Sequence, residues 1–230
     1  MNSGPVIFLG VLFTLATSFW GLIVVPQRQV GMGQPVALKF TGELYPPARP
    51  GLAQRGAQVY QANGCVECHT QQVRPRGYGS DLDRPGWGAR RTVAQDYLRD
   101  QPVQIGALRI GPDLTNIGAR QTNATYHLTH LYNPRLSAPG SMMPRYAYLF
   151  QKRPLKPGQM PSADALQVEA ASDVEVIPTE DARALAAYLL SLKSEAPLFE
   201  APLPRSGTNE VPVEAMATNA SSPAAAAPAK

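Results

Sequence analysis

Gly64-Cys65-Val66-Glu67-Cys68-His69-Thr70 decides how the rest of the chain is read. Two thiols separated by two residues and followed at once by an imidazole form the C-x-x-C-H pattern of covalent haem attachment. In that pattern both thiols add to the vinyl groups of the porphyrin, and the histidine lies beneath it to ligate iron. Cys65 and Cys68 are therefore the candidate anchors of one covalently bound haem c, and His69 is the candidate proximal ligand. The chain has two cysteines in all, and both are spent here.

Two other readings compete for the same residues. A thioredoxin-like redox pair wants a βαβ surround, whereas the flanking sequence reads helical. A zinc site needs four ligands, and the remaining histidines, His127 and His130, are separated by two residues where finger-type pairs usually show three to five. The haem reading makes further demands that the chain can meet: a second axial ligand, and helices placed to cover the ring.

The composition is mixed, at 44% hydrophobic and 17% charged with 23 prolines and 19 glycines, so part of the 230 residues must lie outside a packed core. Val6 to Val25 runs without one charge. About 20 apolar residues rising 1.5 Å each span a hydrocarbon core of roughly 30 Å, which predicts a transmembrane helix over 6–25. Met1 to Pro5 carries no Lys or Arg and no small-x-small cleavage site follows the run, so an uncleaved anchor is favoured over a signal peptide. Arg28 and Lys39 lie after the helix, and by the positive-inside rule they would keep the large domain in the cytoplasm. Thioether attachment takes place on the outer face of the bacterial plasma membrane, and this outweighs one or two charges. The expected topology is residues 1–5 cytoplasmic and the haem domain periplasmic.

Pro26 is expected to end the span, and 26–50, with Gly31, Gly33, Pro35 and Pro46-Pro47, reads as an extended connector. The soluble domain occupies 51–194. Leu52 to Asn63 reads as a short amphipathic helix that Gly64 stops. Pro178-Thr179-Glu180-Asp181 supplies a cap and two acids for a second helix, whose Leu185, Tyr188, Leu189 and Leu192 form an apolar stripe. Gly56 with Tyr60, and Leu185 with Tyr188, look like the crossing of first and last helices in class I cytochromes c. The expected class is thus mostly α: one N-terminal transmembrane helix, a class I cytochrome c-like domain, and a Pro/Ala/Ser-rich tail over 195–230 too poor in apolar residues to order.

A haem that only carries electrons wants both axial positions filled, and a thioether opposite imidazole raises its potential. Ser141-Met142-Met143-Pro144 is the natural source. Pro144 fixes its own φ and pushes Met143 toward extended backbone, on which two adjacent side chains cannot point the same way. Met143 is the first choice and Met142 the second. His127 and His130, three apart on a helical face, offer a bis-histidine alternative or are packing histidines. Arg74, Arg90, Arg91, Arg109 and Arg135 are candidates for the haem propionates, because guanidinium matches a carboxylate bidentately. No dense basic stripe suits nucleic acid, and the net charge of +4 is modest.

Read on to Pro75, the run C-V-E-C-H-T-Q-Q-V-R-P resembles the mono-haem subunit II of cbb3-type cytochrome c oxidases, the CcoO/FixO family. Trp87-Gly88-Ala89-Arg90-Arg91-Thr92, Gly111-Pro112-Asp113-Leu114, His127-x-x-His130-Leu131 with Asn133-Pro134-Arg135, and Ser141-Met142-Met143-Pro144-Arg145-Tyr146 follow in that family's order. The resemblance implies that Pro112 accepts from Nδ1–H of His69, setting ring orientation and ligand basicity. It implies a non-catalytic subunit that takes electrons from a dihaem cytochrome c subunit and passes them to haem b of a haem-copper catalytic subunit in a proton-translocating, oxygen-reducing oxidase. The partners are then those two subunits and the lipid bilayer. In the family an R-R-T run leads almost directly into G-P-D-L, whereas here Val93 to Ile110 intervene, and Arg109 rather than Arg90 or Arg91 adjoins the second segment. The alternative function is a membrane-anchored mono-haem shuttle of another respiratory chain.

Overall fold

The computed structural model describes residues 3–31, 33–39, 41–168, 173–199 and 201. Helix α1, Gly4–Phe19, opens on Pro5 in its first turn, where a missing N–H costs nothing, and buries no side chain. The apolar helical run continues to Gln29, making 26 residues long and apolar enough to cross a membrane. At 1.5 Å per residue it is about 39 Å long, enough to span with tilt.

Pro26 does not end the helix as the sequence suggested. Trp20–Val24 winds as a wider π-type turn in which Val25 N–H reaches Trp20 O, and a second such turn covers Gln27–Gly31. Proline normally clashes with the carbonyl four residues back, and the wider register just before Pro26 relieves that conflict.

The connector is folded and docked rather than merely extended. Strands β1, Val36–Ala37, and β2, Leu44–Tyr45, pair antiparallel, with Val36 opposite Tyr45, around a turn that Gly42 makes at φ +70°. Gln95 Nε2 donates to Gln34 O at 2.8 Å, Tyr45 Oη to Asp96 Oδ1 at 2.6 Å, and Arg99 Nε to Pro46 O at 2.8 Å. Arg49 pairs with Asp100. Residues 95–100 are therefore the platform on which the connector rests.

The domain core forms where α2, Gly51–Ala62, crosses the last helix. Between them in the chain come α3, Ile117–Arg120, and α4, Ala124–Tyr132, the latter capped by the Asn123 side chain, which accepts from Thr125 N and Tyr126 N. Strands β3, Phe150–Pro154, and β4, Val174–Pro178, follow as an antiparallel pair with Phe150 opposite Pro178. Helix α5, Glu180–Ser191, starts at Thr179, whose hydroxyl accepts from Ala182 N, and Glu180 and Asp181 complement its dipole. A β-carbon on Gly56 would stand 1.9 Å from Ala184 O and 2.7 Å from Tyr188 Cβ, so only glycine admits this approach of α2 to α5. Tyr60 and Tyr188 then meet with ring centroids 5.3 Å apart and tilted by 59°. Gly118 seats α3 on the end of α5 in the same way, its N–H donating to Leu192 O at 2.9 Å.

Leu185, Tyr188, Leu189 and Leu192 are buried with Val59, Tyr60, Leu131, Tyr132, Phe150 and Val176 in one core, each large apolar side chain worth roughly 1.5–3 kcal/mol. The segment after α5 turns back onto the domain: Arg90 Nε donates to Ala196 O, and Leu198 and Ala201 are buried. The rest of the tail expected to be disordered, and residues 1–2, lie outside the described residues.

Candidate functional site

Gly64 takes φ +63°, a left-handed conformation that releases the chain from α2, and Cys65–Glu67 forms one tight turn. Cys68 N and His69 N both donate to Cys65 O, at 3.2 and 3.0 Å. The turn thus brings Cys65, Cys68 and His69 together. Cys65 is buried, Cys68 is half-buried, and both are free thiols. Burial pushes the Cys65 thiol up to about 11, against its hydrogen-bond partner Tyr146. Cys65 is therefore a protonated thiol at neutral pH rather than a spontaneous nucleophile.

His69 is half-buried, and its Nδ1 lies 2.7 Å from Pro112 O. A carbonyl only accepts, so Nδ1 carries the proton and donates, which leaves the Nε2 lone pair for a metal. Burial lowers the imidazole's pKa, and the Pro112 bond opposes this, so the ring is neutral as a ligand must be. The ring packs so closely on the backbone that a β-carbon on Gly111 would stand 2.2 Å from His69 Cε1. Gly111 N donates to Cys68 O at 2.9 Å and Leu114 N to Thr70 O at 2.8 Å, zipping the two segments together around the ring.

Beneath this ladder lies a buried ionic cluster. Asp113 accepts from Thr70 Oγ1 at 2.6 Å, Gln72 N at 2.9 Å and Thr115 N at 2.9 Å. Arg109 donates to Thr70 Oγ1, Gln72 O, Asp113 and both oxygens of Asp81. Arg74 reaches Asp81 through its backbone N–H and its guanidinium. Burial would raise the Asp81 carboxyl, but hydrogen bonds from Arg109 and Arg74 outweigh it and hold the group well below the usual carboxylate range.

Among the other candidates, Met143 is half-buried and packs against the core, whereas Met142 is 75% exposed. The two neighbours thus differ sharply in burial. Met143 N donates to Ser141 Oγ at 3.2 Å, and Pro144 is exposed. His127 is buried with Nε2 against Gln121 O at 2.8 Å, and His130 Nδ1 meets Ser137 Oγ at 2.6 Å. Each already holds a partner on or beside its own helix.

Arg91 and Arg135 are exposed, and Arg90 is fully buried on Asp96, Ala196 O and Arg91 O. Sequence reasoning singled out Pro112 and Arg109 but missed Asp113, Thr70 and Asp81. Asp113 was legible within G-P-D-L; Asp81, in a polar Ser-Asp-Leu-Asp run, carried no signal.

The donor set suits an iron porphyrin: two free thiols on one turn, a neutral imidazole with its proton committed to a carbonyl, and a half-buried thioether packed against the core. Residues 6–188 match the sequence profile of a family described as cytochrome C oxidase, mono-heme subunit/FixO. No curated protein matches the chain.

Proposed function

The chain belongs to the mono-haem subunit family of cbb3-type cytochrome c oxidase, and from that premise we propose that it relays electrons through one covalent haem c to a catalytic partner. Cys65 and Cys68 would hold the porphyrin as thioethers, each S–H adding across one vinyl double bond with no net oxidation. His69 Nε2 and Met143 would be the axial ligands. Two such ligands leave iron no open position and little geometric change between oxidation states, which suits electron transfer rather than oxygen chemistry.

The observation that carries this reading is the bond from His69 Nδ1 to Pro112 O, because it commits the imidazole to the tautomer and orientation that an iron ligand needs. The soluble domain would be a class I cytochrome c fold, α2 and α5 being its first and last helices. It would stand in the bacterial periplasm on α1, with the N-terminus cytoplasmic. Electrons would enter from a dihaem cytochrome c subunit and leave to haem b of the haem-copper subunit.

Membranes containing the tagged chain, extracted in mild detergent, test the proposal. The expected result is a haem-staining band under denaturing conditions, a mass gain of one tetrapyrrole, and copurification with a multi-span subunit bearing haem b. A haem-loaded chain that purifies alone would instead favour a mobile membrane-anchored shuttle. A chain without covalent haem would end both readings.

A further inference from the structure

Residues 93–110 fold against the turn that holds Cys65, Cys68 and His69. Gln71 N donates to Ile105 O at 2.8 Å, and Tyr97 Oη donates to Gln71 O at 2.7 Å. Gly106, at φ +72°, lies so near the turn that a β-carbon there would be 2.4 Å from His69 O and 2.8 Å from Val66 O. Arg109, at the end of the segment, spreads its guanidinium over Thr70, Gln72, Asp81 and Asp113. The side chains of Asp81 and Asp113 are each only 2% exposed, and among the described residues Arg109 is the one side chain that pairs with both. Buried carboxylates persist as charges only when compensated in this way.

We propose that residues 93–110 are a brace, with Arg109 a positioning residue that holds the Cys65–Thr70 turn on Pro112 and whose charge sets the reduction potential of the iron ligated by His69. The inference rests on the haem reading above. Electrostatics give the sign. Without Arg109, Asp113 would lose its ion-pair partner and Asp81 would keep only Arg74, and the more negative surroundings beside the proximal loop would oppose the added electron and favour ferric iron. The guanidinium is already engaged by the protein on Nε, NH1 and NH2, so its role is toward the loop and not as a propionate clamp.

The test is spectroelectrochemical titration of the full-length holoprotein in detergent, comparing Arg109→Gln, Arg109→Lys and the remote charge control Arg55→Gln, whose partner Asp181 sits on the solvent-facing side of α5. Arg109→Gln is expected to shift the oxidised-to-reduced ratio at fixed potential about tenfold toward oxidised, ~59 mV for a one-electron couple. Arg109→Lys, which keeps the charge, and Arg55→Gln are each expected to stay within about twofold of the wild type. Adding Asp81→Asn to Arg109→Gln should return most of the shift.

An Arg109→Gln protein within about twofold of the wild type overturns the inference, as does an equal shift in Arg55→Gln. Should Arg109→Gln accumulate without covalent haem, Arg109→Lys decides: loading supports the brace, and failure to load overturns the charge role. A wild-type chain lacking haem would instead strike the functional reading itself.

Discussion

His69 donates through Nδ1 to Pro112 O at 2.7 Å, across 43 residues of sequence, while its ring lies where a β-carbon on residue 111 would have to be. Orientation of the candidate proximal ligand is thus a property of the G-P-D-L segment as much as of the histidine. Gly111→Ala forces a β-carbon to within 2.2 Å of Cε1. The expected outcome is a displaced imidazole, a loss of about 1–3 kcal/mol and weakened axial ligation. Denaturation midpoints and the absorption of the reduced protein check both parts.

Gly56→Ala meets the Ala184 carbonyl rather than a flexible side chain, so α2 and α5 must separate. A destabilisation of about 3 kcal/mol is expected, with thermal unfolding lowered by roughly 6–12 °C. Gly51→Ala, in the first turn of the same helix with nothing within 4 Å, should change the midpoint by no more than about 2 °C.

The two methionines separate cleanly. Met143→Leu is expected to abolish the sulfur-to-iron charge-transfer band, lower the reduction potential and admit carbon monoxide to the reduced iron, while Met142→Leu leaves all three near the wild type. The reverse result would transfer the sixth-ligand role to Met142, and bands unaltered in both variants would remove thioether ligation altogether.

Stability at acid pH reports the ion cluster. The Asp81 carboxyl is held below its unfolded value, about 3.9, so its contribution is complete above that range and is lost as pH falls through the folded value. Asp81→Asn should therefore cost about 1–3 kcal/mol at pH 7, where it removes the carboxylate shared by Arg74 and Arg109 while Arg109 keeps Asp113, and the gap to wild type should narrow below roughly pH 4. Urea denaturation of the full chain across pH 2.5–7, in steps of about half a unit, measures the convergence.

Arg90 has no exposed surface and joins the 93–96 turn, the connector and the chain after α5: its partners are Asp96, Arg91 O and Ala196 O, and it lies over the Tyr45 ring at 5.8 Å. Arg90→Ala is expected to cost about 3–5 kcal/mol by stranding Asp96. Arg90→Lys should recover little of that, because one ammonium cannot serve acceptors arranged around a planar fork. Thermal denaturation and protease cleavage between residues 33 and 50 read the two consequences.

The turn that gathers Cys65, Cys68 and His69, the long apolar N-terminal helix, and the cap and stripe of α5 were legible in the chain as written, because each depends on neighbours within a few residues or on a fixed chemical spacing; the crossing of Gly56 with α5 was legible only through its likeness to the helix crossing of class I cytochromes c. A thiol pair beside an imidazole, twenty uncharged apolar residues, and Thr179 ahead of two acids carry their reasons locally. The β3–β4 pair was not legible: Gln151, Lys152 and Arg153 show no apolar alternation, and the strand is stabilised by Val174–Pro178 across the sheet. Nor was the passage of the helix through Pro26, which depends on the register of the turn before it.

The folding of 93–110 against the Cys65–His69 turn, the sharing of Arg109 by Asp81 and Asp113, and the docking of the connector were decided only by tertiary structure. Which buried charge meets which partner depends on segments 28 to 51 residues apart arriving together, and no local periodicity encodes that. The proposed haem attachment therefore rests on five consecutive residues, while the contacts proposed to tune it exist only once the chain is packed.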